Sequence, residues 1–221
     1  MSNGLKVKKR NGRGVEPLDL DKIHKMVEEA TKGLAGVSAS QVEIQSGIQF
    51  YDGITTAEIQ EILIKSASDL ITLDNPNYQF VAARLLLFSV RKSLYGKTRD
   101  LPHLESHIMS CTNQDVYDKE IFNKYSKEEI DKVDGWIDHE RDFLFTYAGL
   151  RQVVDKYLVQ DRSTSKVYET PQFMYMMIAL TIFAEYPKER RLNYVRRYYD
   201  AISKHRINIP TPIMAGVRTP I

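Results

Sequence analysis

Three basic side chains on one short segment could bind a phosphate chain. Lys8, Lys9 and Arg10 close a stretch in which apolar and basic residues alternate, and Asp19 to Lys22 begins a helical pattern. Free N–H groups at a helix N-terminus attract anions, so cations on a neighbouring strand could help to hold a triphosphate. A solvated strand face is the competing interpretation, because exposed lysines are common. The sequence has no Gly-x-x-x-x-Gly-Lys-Ser/Thr loop and no complete dinucleotide fingerprint, which excludes the classical nucleotide folds.

Two histidines and one cysteine are the other candidates for chemistry. His103 and His107 are spaced i, i+4, which presents two possible metal ligands on one helical face. Glu105 is not in the position of a metalloprotease base and no third ligand follows, so an exposed polar face is the favoured interpretation. Cys111 has no histidine or cation beside it in sequence, and nothing marks it as an activated thiol. We therefore predict no catalytic residue and no metal ligand on this chain.

A segment near the C-terminal end combines arginines with tyrosines, as in proteins that follow a nucleic acid backbone. The same segment carries a continuous apolar stripe at helical spacing, which favours an amphipathic core helix with one solvated face. The chain has 31 Lys and Arg against 29 Asp and Glu, a net charge of +2, so we expect no direct nucleic acid contact. The residues concerned are Arg190, Arg191, Arg196 and Arg197, with Tyr194, Tyr198 and Tyr199, and the stripe is Leu192, Val195, Tyr199 and Ile202.

Composition indicates an ordinary globular protein. The chain has 221 residues, of which 43% are hydrophobic and 27% charged, enough to bury one large core or two small ones. A single cysteine excludes an intrachain disulfide and a four-cysteine zinc ribbon, and predicts a reducing, cytoplasmic compartment. No apolar stretch approaches the ~18 residues needed to cross a bilayer, so we expect no membrane association.

The first 96 residues predict a β-hairpin followed by four helices. Leu5 to Arg10 and Val15 to Leu18 form the strands around an Asn11-Gly12 turn, and Asp19 is a plausible N-cap for the first helix. Gly33 and Gly36 end that helix. The second helix begins at Ser38, the third follows a Thr55-x-x-Glu58 capping box, and the fourth begins at Asn75-Pro76 and ends at Tyr95-Gly96.

The rest of the chain is also mainly helical. We predict a long helix from Asp138 to Tyr157, a hairpin around a turn at Asp161 to Ser165, and a buried strand beginning at Ile207. Shorter predicted helices cover His103 to Ser110, Glu120 to Tyr125 and Lys127 to Val133, and further helices cover roughly 171–185 and 188–205.

These residues, in this order, resemble a known family. The opening is similar to an ATP-cone domain, and the segments beyond it resemble the large subunit of class I aerobic ribonucleotide reductase of the bacterial or T-even-like phage type. The cone-like segments are Val7-Lys8-Lys9-Arg10-Asn11-Gly12, Leu18-Asp19-Leu20-Asp21-Lys22-Ile23, Phe50-Tyr51-Asp52-Gly53-Ile54-Thr55-Thr56 and Asp74-Asn75-Pro76-Asn77-Tyr78. The later ones are His139-Glu140-Arg141-Asp142, Tyr168-Glu169-Thr170-Pro171-Gln172-Phe173 and Pro210-Thr211-Pro212-Ile213-Met214-Ala215-Gly216-Val217-Arg218-Thr219-Pro220.

The resemblance implies a mainly α (α+β) fold: a four-helix ATP cone with a small β cap over residues 1–96, then a helical region, 97–221, that leads into the first strand of a ten-stranded α/β barrel. It implies a component of a ribonucleoside-diphosphate reductase that makes deoxyribonucleotides, with a small subunit supplying a radical from a di-iron tyrosyl centre. ATP or dATP would bind as the allosteric effector and a ribonucleoside diphosphate as the substrate, with Thr211 helping to position it. The effector residues would be Lys9, Glu16, Pro17, Leu18, Asp19, Leu20, Asp21, Lys22, Thr56 and Lys92.

Two departures from the family pattern modify these expectations. Gln60 and Ser89 stand where bacterial relatives carry two histidines that help the cone respond to dATP, so we expect weak dATP inhibition or none. The redox-active and radical cysteines of the family are absent from this chain, so it cannot reduce a nucleotide alone. We expect it to work in a hetero-oligomer with the remainder of the large subunit, on the same chain or, given Ile221 after Arg-Thr-Pro, on a separate one.

Two other functions compete with this interpretation. ATP cones also occur in nucleotide-sensing transcriptional regulators, but those carry the four-cysteine zinc ribbon that is absent here. A degenerate cone that binds no nucleotide and serves only subunit assembly is the second alternative. Gln60 and Ser89 are compatible with it, whereas Lys9, Lys22 and Lys92 favour nucleotide binding.

Overall fold

The computed structural model describes residues 4–9 and 14–220, and divides the chain into two compact units. The first runs to Ser89 and includes Phe145–Arg151, and the second comprises Val90–Leu144 and the residues from Gln152 onward. The predicted mainly helical fold with a small sheet is confirmed. The predicted Asn11-Gly12 turn and Arg10 lie outside the described residues.

Eleven α-helices and five short strands are present in the described ranges. The strands are β1 (Lys6–Lys8), β2 (Val15–Pro17), β3 (Ile54–Thr55), β4 (Gln160–Asp161) and β5 (Lys166–Val167). The helices are α1 (Leu20–Thr31), α2 (Ala39–Gly47), α3 (Thr56–Asp69), α4 (Tyr78–Tyr95), α5 (Leu104–Asn113), α6 (Ile121–Lys124), α7 (Lys127–Asp134), α8 (Tyr147–Gln152), α9 (Pro171–Ile182), α10 (Lys188–Ser203) and α11 (Thr211–Gly216).

A three-stranded sheet organises the first unit, in the order β2-β1-β3. The central strand β1 pairs antiparallel with β2, placing Val7 opposite Glu16, and parallel with β3, placing Val7 opposite Ile54. Val7 and Ile54 are buried, while Lys6 and Lys8 on the other face of β1 are exposed. The alternation therefore correctly predicted which face of β1 is basic, whereas β3, with two residues, is too short to show a period.

Side-chain caps fix where the helices of the first unit begin. The Asp19 side chain accepts a hydrogen bond from the backbone N–H of Lys22, which confirms it as the N-cap of α1. Thr55 and Glu58 form the predicted capping box of α3. The fourth helix begins at Tyr78, two residues after the predicted Pro76. It ends at Tyr95, and Gly96 follows at a φ of 71°, a conformation that favours glycine.

The long helix predicted from Asp138 to Tyr157 is wrong. A 3₁₀-helix covers His139–Leu144, α8 begins afresh at Tyr147, and a π-helix covers Val153–Tyr157. The Arg91 guanidinium donates to the His139 carbonyl oxygen at 2.7 Å and to the Asp142 carboxylate at 2.9 Å. Because Arg91 and Asp142 are both buried, pairing these charges outweighs an uninterrupted helical ladder.

The strand predicted to begin at Ile207 is also wrong. Ile207 to Pro210 forms no strand, the Ile207 side chain is 44% exposed, and α11 starts at Thr211 with Pro212 in its first turn. A strand without a neighbour leaves its backbone groups unpaired, and proline is well accommodated in a first helical turn. Thr211 therefore opens a short helix here rather than standing at the head of a barrel strand.

The predicted β4–β5 hairpin and the two helices after it are confirmed. Ten of the twelve residues of α9 are buried, which agrees with the prediction of an internal helix after Pro171. None of the helices in the described parts of the chain is long and apolar enough to cross a membrane.

Two histidines of the second unit are held neutral by burial. His107 stacks on Phe173 with ring centroids 4.2 Å apart, and its Nε2 lies 3.1 Å from the Tyr117 hydroxyl. Burial lowers the pKa of His107 to about 4. Burial and the Arg91 guanidinium lower the pKa of His139 to about 4 as well.

We predict that the second unit loses stability in acid. Since both pKa values fall from 6.5 to about 4 on folding, the unfolded chain binds more protons between these values. The free energy of unfolding of this unit should fall by ~1.4 kcal/mol per histidine for each pH unit between pH 6.5 and about 4, and should not fall further through these groups below that range. Trp136, the only tryptophan, lies in this unit, so denaturant unfolding followed by its fluorescence measures the slope.

The matched variants are His107→Gln, which should flatten the slope, and His24→Gln, at an exposed histidine of the first unit. A slope that is the same in His107→Gln as in the unaltered chain would contradict the prediction.

Candidate functional site

A cavity of about 820 Å³ lies in the first unit, where the β1–β2 hairpin meets the start of α1. The hairpin leads directly into α1, because β2 ends at Pro17 and the Leu18 N–H donates to the Leu5 carbonyl oxygen at 2.9 Å. The structure thus brings seven of the sequence-predicted effector residues onto one cavity. The lining is Gly4, Leu5, Lys6, Glu16, Pro17, Leu18, Asp19, Leu20, Asp21 and Lys22.

Carboxylates hold two of the predicted phosphate-binding lysines. Lys9 Nζ lies 2.9 Å from Glu16 Oε2, and Lys22 Nζ lies 3.2 Å from Asp19 Oδ2. The hydrogen bond from Lys9 lowers the pKa of Glu16, and the Lys22 backbone N–H lowers the pKa of Asp19. Both carboxylates are therefore ionised at neutral pH, and an anionic ligand must exchange for them at the lysines.

Lys6 lines the cavity but was not among the predicted site residues. Its backbone is held firmly, since its N–H donates to Asp52 Oδ1 at 2.8 Å and its carbonyl oxygen accepts from the Gly53 N–H at 2.8 Å. The alternating pattern of β1 already contained the signal, because Lys6 and Lys8 share one strand face.

Thr56 lies at the other end of the sheet from Pro17 and Leu18. It opens α3 directly after β3, whose Thr55 pairs with Lys8 at the C-terminal end of β1. Neither Thr56 nor Lys9 lines the cavity, although Lys9 contacts it indirectly through its ion pair with the lining residue Glu16. Thr56 is therefore separated from the predicted effector residues Glu16 to Lys22.

The turn before Thr56 is fixed by Glu58, a residue whose full role was not evident from the capping box alone. Its carboxylate accepts from the Thr55 N–H at 2.8 Å, the Thr55 hydroxyl at 2.7 Å and the Tyr51 hydroxyl at 2.8 Å. These hydrogen bonds, with those from Thr55 the strongest, lower the pKa of Glu58. Glu58 thus fixes the backbone at the start of α3, which follows the strand paired with the basic strand β1.

The remaining predicted residues lie elsewhere. Lys92 is exposed in the last turn of α4 and belongs to the second unit. Thr211 is exposed at the start of α11, also in the second unit. Gln60 is 4% exposed and its Nε2 lies 3.6 Å from the Met26 sulfur on α1, and Ser89 is buried. Neutral side chains thus occupy both interior positions where histidines were expected from the family pattern.

The His103/His107 pair does not converge on a common point. His103 is exposed and its Nδ1 lies 2.8 Å from Asp134 Oδ2, whereas His107 is buried against aromatic rings. Cys111 is buried, and burial raises the pKa of its thiol to about 12. At neutral pH this thiol is therefore protonated, which agrees with the interpretation that it is not activated.

The arginine-tyrosine segment is the amphipathic helix α10. Val195, Tyr199 and Ile202 are buried along one face. Arg191, on the same helix, is also buried and forms a bidentate pair with Glu129, with nitrogen–oxygen distances of 3.1 and 2.5 Å. At least one of the four arginines is thus structural, as the core-helix interpretation requires.

Comparison with protein families identifies two domains in this chain. Residues 5–93 match the ATP cone domain, and residues 143–221 match the domain described as "Ribonucleotide reductase, all-alpha domain". The first match contains every predicted effector residue and all of the cavity lining except Gly4, and the second contains α11 and Thr211.

Characterised relatives match over the whole chain. The chain is 50% identical over 220 residues to the ribonucleoside-diphosphate reductase subunit alpha of Haemophilus influenzae, and 48% identical to ribonucleoside-diphosphate reductase 1 subunit alpha of Escherichia coli. It is 44% identical over 207 residues to the corresponding subunit of Enterobacteria phage T4. The first two matches cover 100% of this chain and 29% of the relative, and the phage match covers 93% and 27%. The chain thus carries an ATP cone domain followed by a ribonucleotide reductase all-alpha domain, in the order predicted from the motifs, and it spans 29% of the length of the alpha subunits that it matches at 50% and 48% identity.

Proposed function

We propose that this chain is the effector-binding part of a ribonucleoside-diphosphate reductase, with the ATP cone within residues 1–96 and the start of the catalytic domain in 97–221. The observation that carries the proposal is the cavity between the hairpin and α1, which lies inside the matched ATP cone domain. Lys6 and Lys22 in its lining, Lys9 paired with the lining residue Glu16, and the adjacent helix N-terminus supply the two kinds of donor that a nucleotide phosphate chain requires.

The ligand is ATP or dATP, acting as an allosteric effector. Its phosphates replace Glu16 at Lys9 and Asp19 at Lys22, and the displaced carboxylates become solvated or interact with a phosphate-bound cation. The resemblance to the family also assigns Thr56 and Lys92 to effector binding. Since both lysine pairs are solvent-exposed and surface ion pairs stabilise little, exchanging them for a triphosphate is favourable.

The substrate and partners follow from the relatives, of which this chain spans 29%. Thr211 contacts a ribonucleoside diphosphate in the complete reductase. The remainder of the alpha subunit, on the same or a separate chain, carries the redox chemistry, and a small subunit supplies the radical from its di-iron tyrosyl centre. The assembly is a cytoplasmic hetero-oligomer.

Gln60 and Ser89 make the response to dATP weak. An imidazole can carry a proton and donate from both nitrogens, whereas an amide and a hydroxyl remain neutral. Gln60 contacts Met26 of α1, and the N-terminus of α1 lines the proposed effector cavity. Whether the side chain at position 60 can carry a proton therefore affects how the cone responds to the nucleotide.

We predict that Lys9→Met and Lys22→Met each weaken ATP binding about 10- to 100-fold, because each loses a charge-assisted contact to phosphate. Glu16→Gln should tighten binding by up to about five-fold, since it removes the carboxylate that competes at Lys9. Isothermal titration of ATP into the chain measures all three.

Lys119→Met is the matched control, because Lys119 is an exposed lysine paired with Asp115 in the second unit. Equal ATP affinity in all variants would refute the assigned cavity. Failure of the unaltered chain to bind ATP would support the assembly-only cone instead.

We further predict that dATP inhibits the complete reductase only weakly, and that Gln60→His with Ser89→His strengthens inhibition. The measurement is nucleotide reduction against dATP concentration at fixed substrate, with ATP activation as the parallel control. Inhibition of the unaltered enzyme as strong as in the relatives that carry both histidines would disprove the role given to these positions.

A further inference from the structure

We propose that Glu169, Arg218 and Tyr117 are positioning residues for the substrate, because together they fix the location of α11 and hence of Thr211. This inference rests on the proposed function, which assigns Thr211 to the substrate site. It concerns three buried side chains of the second unit, and none of them is a catalytic residue.

The three side chains form one saturated polar cluster. Glu169 and Arg218 are fully buried, and Arg218 Nε donates to Glu169 Oε2 at 2.9 Å while its Nη2 donates to Oε1. The Tyr117 hydroxyl donates to Glu169 Oε2 at 2.5 Å, and the Val159 N–H donates to Oε1 at 2.7 Å. Burial raises the pKa of Tyr117 well above its usual value, so it remains a donor.

Arg218 also binds the backbone on both sides of the cluster. Its Nη1 donates to the Met214 carbonyl oxygen in α11 at 2.6 Å, and its Nη2 donates to the Tyr157 carbonyl oxygen at 2.9 Å. Tyr157 is the last residue of the π-helix, a wider turn that often marks functional sites. A single guanidinium thus connects α11, the π-helix and the segment before α9.

α11 is held only partly by packing. It is six residues long, none of its residues is fully buried, and Ile213, Met214 and Ala215 are half-buried. A helix this short is not stable by itself in water. The hydrogen bond from Arg218 to Met214 and the ion pair beneath it therefore add direct restraints on the position of α11 and hence of Thr211.

The geometry matters for substrate binding because reacting groups must be held within a fraction of an ångström. A displacement of 1 Å caused by a remote substitution can cost about 10²-fold in rate. If Arg218 loses its carboxylate, the guanidinium has no compensating charge and moves toward solvent, and α11 moves with it.

The test uses the complete reductase with its small subunit, carrying Glu169→Gln. We expect hydrogen–deuterium exchange to become faster in residues 211–217, and KM for cytidine diphosphate to rise about 10-fold or more. ATP affinity at the cone should not change. A merely structural loss would lower the active fraction, and thus kcat, without raising KM.

Tyr117→Phe is the milder second variant, because it removes one donor to Glu169 and keeps the ring. It should produce the same changes at smaller size, so the proposal can be tested even if Glu169→Gln folds poorly. Glu129→Gln is the matched control: it breaks the bidentate Arg191–Glu129 pair between α7 and α10 in the same unit, and should leave exchange at 211–217 and KM unchanged.

The outcomes distinguish the anchoring of α11 from the assignment of Thr211 to the substrate site. Unchanged exchange at 211–217 in both variants would overturn the anchoring of α11. Faster exchange with unchanged KM would overturn the assignment of Thr211 to the substrate site, on which the proposal rests. If Glu169→Gln raised KM no more than the control Glu129→Gln does, the specific role of the cluster would be overturned.

Discussion

The buried pair between Glu169 and Arg218 is the interaction on which the arrangement of the second unit depends. Removing two charges from water costs several kcal/mol each, so such a pair persists only when its hydrogen-bonding groups are satisfied. Here they are, by Tyr117, Val159 N–H and two backbone carbonyl oxygens. Because every hydrogen-bonding group of this ion pair must be satisfied, segments from four parts of the chain meet around it.

A second buried ion pair, Arg91 and Asp142, is less completely satisfied, since Arg91 Nε has no hydrogen-bond partner among the described residues, and it affects the backbone differently. The Arg91 guanidinium donates a hydrogen bond to the His139 carbonyl oxygen, and Gln172 Nε2 donates a further hydrogen bond to the Asp142 carboxylate at 2.9 Å. The local chain forms a 3₁₀-helix instead of continuing as an α-helix. In this protein, buried charges determine backbone conformation where hydrophobic patterning alone would have continued a helix.

This contrast explains what could be predicted from the sequence. The Asp19 and Thr55 caps are local, involving residues three apart, and both were correct. The juxtaposition of a basic strand and the start of α1 was also predictable locally, whereas the assignment of Glu16 to Lys22 to an effector site came from resemblance to a family. The strand β3 and the interrupted helix around Asp142 depend on partners about 50 residues away, which no local period encodes. The helical state of Thr211, by contrast, has a local signal in Pro212, which is well accommodated in a first helical turn. Assigning Thr56 and Lys92 to the effector site required resemblance to a family.

The absence of buried side chains in α11 has a consequence for how this segment varies. Residues elsewhere in the second unit are constrained by packing, so selection for stability alone preserves them. In α11 no side chain is fully buried and Ile213, Met214 and Ala215 are half-buried, so the fold specifies the backbone location through Met214 O more tightly than the side chains. Exposed positions such as Thr211 then reflect what approaches the helix from outside, which makes them a record of contacts rather than of folding.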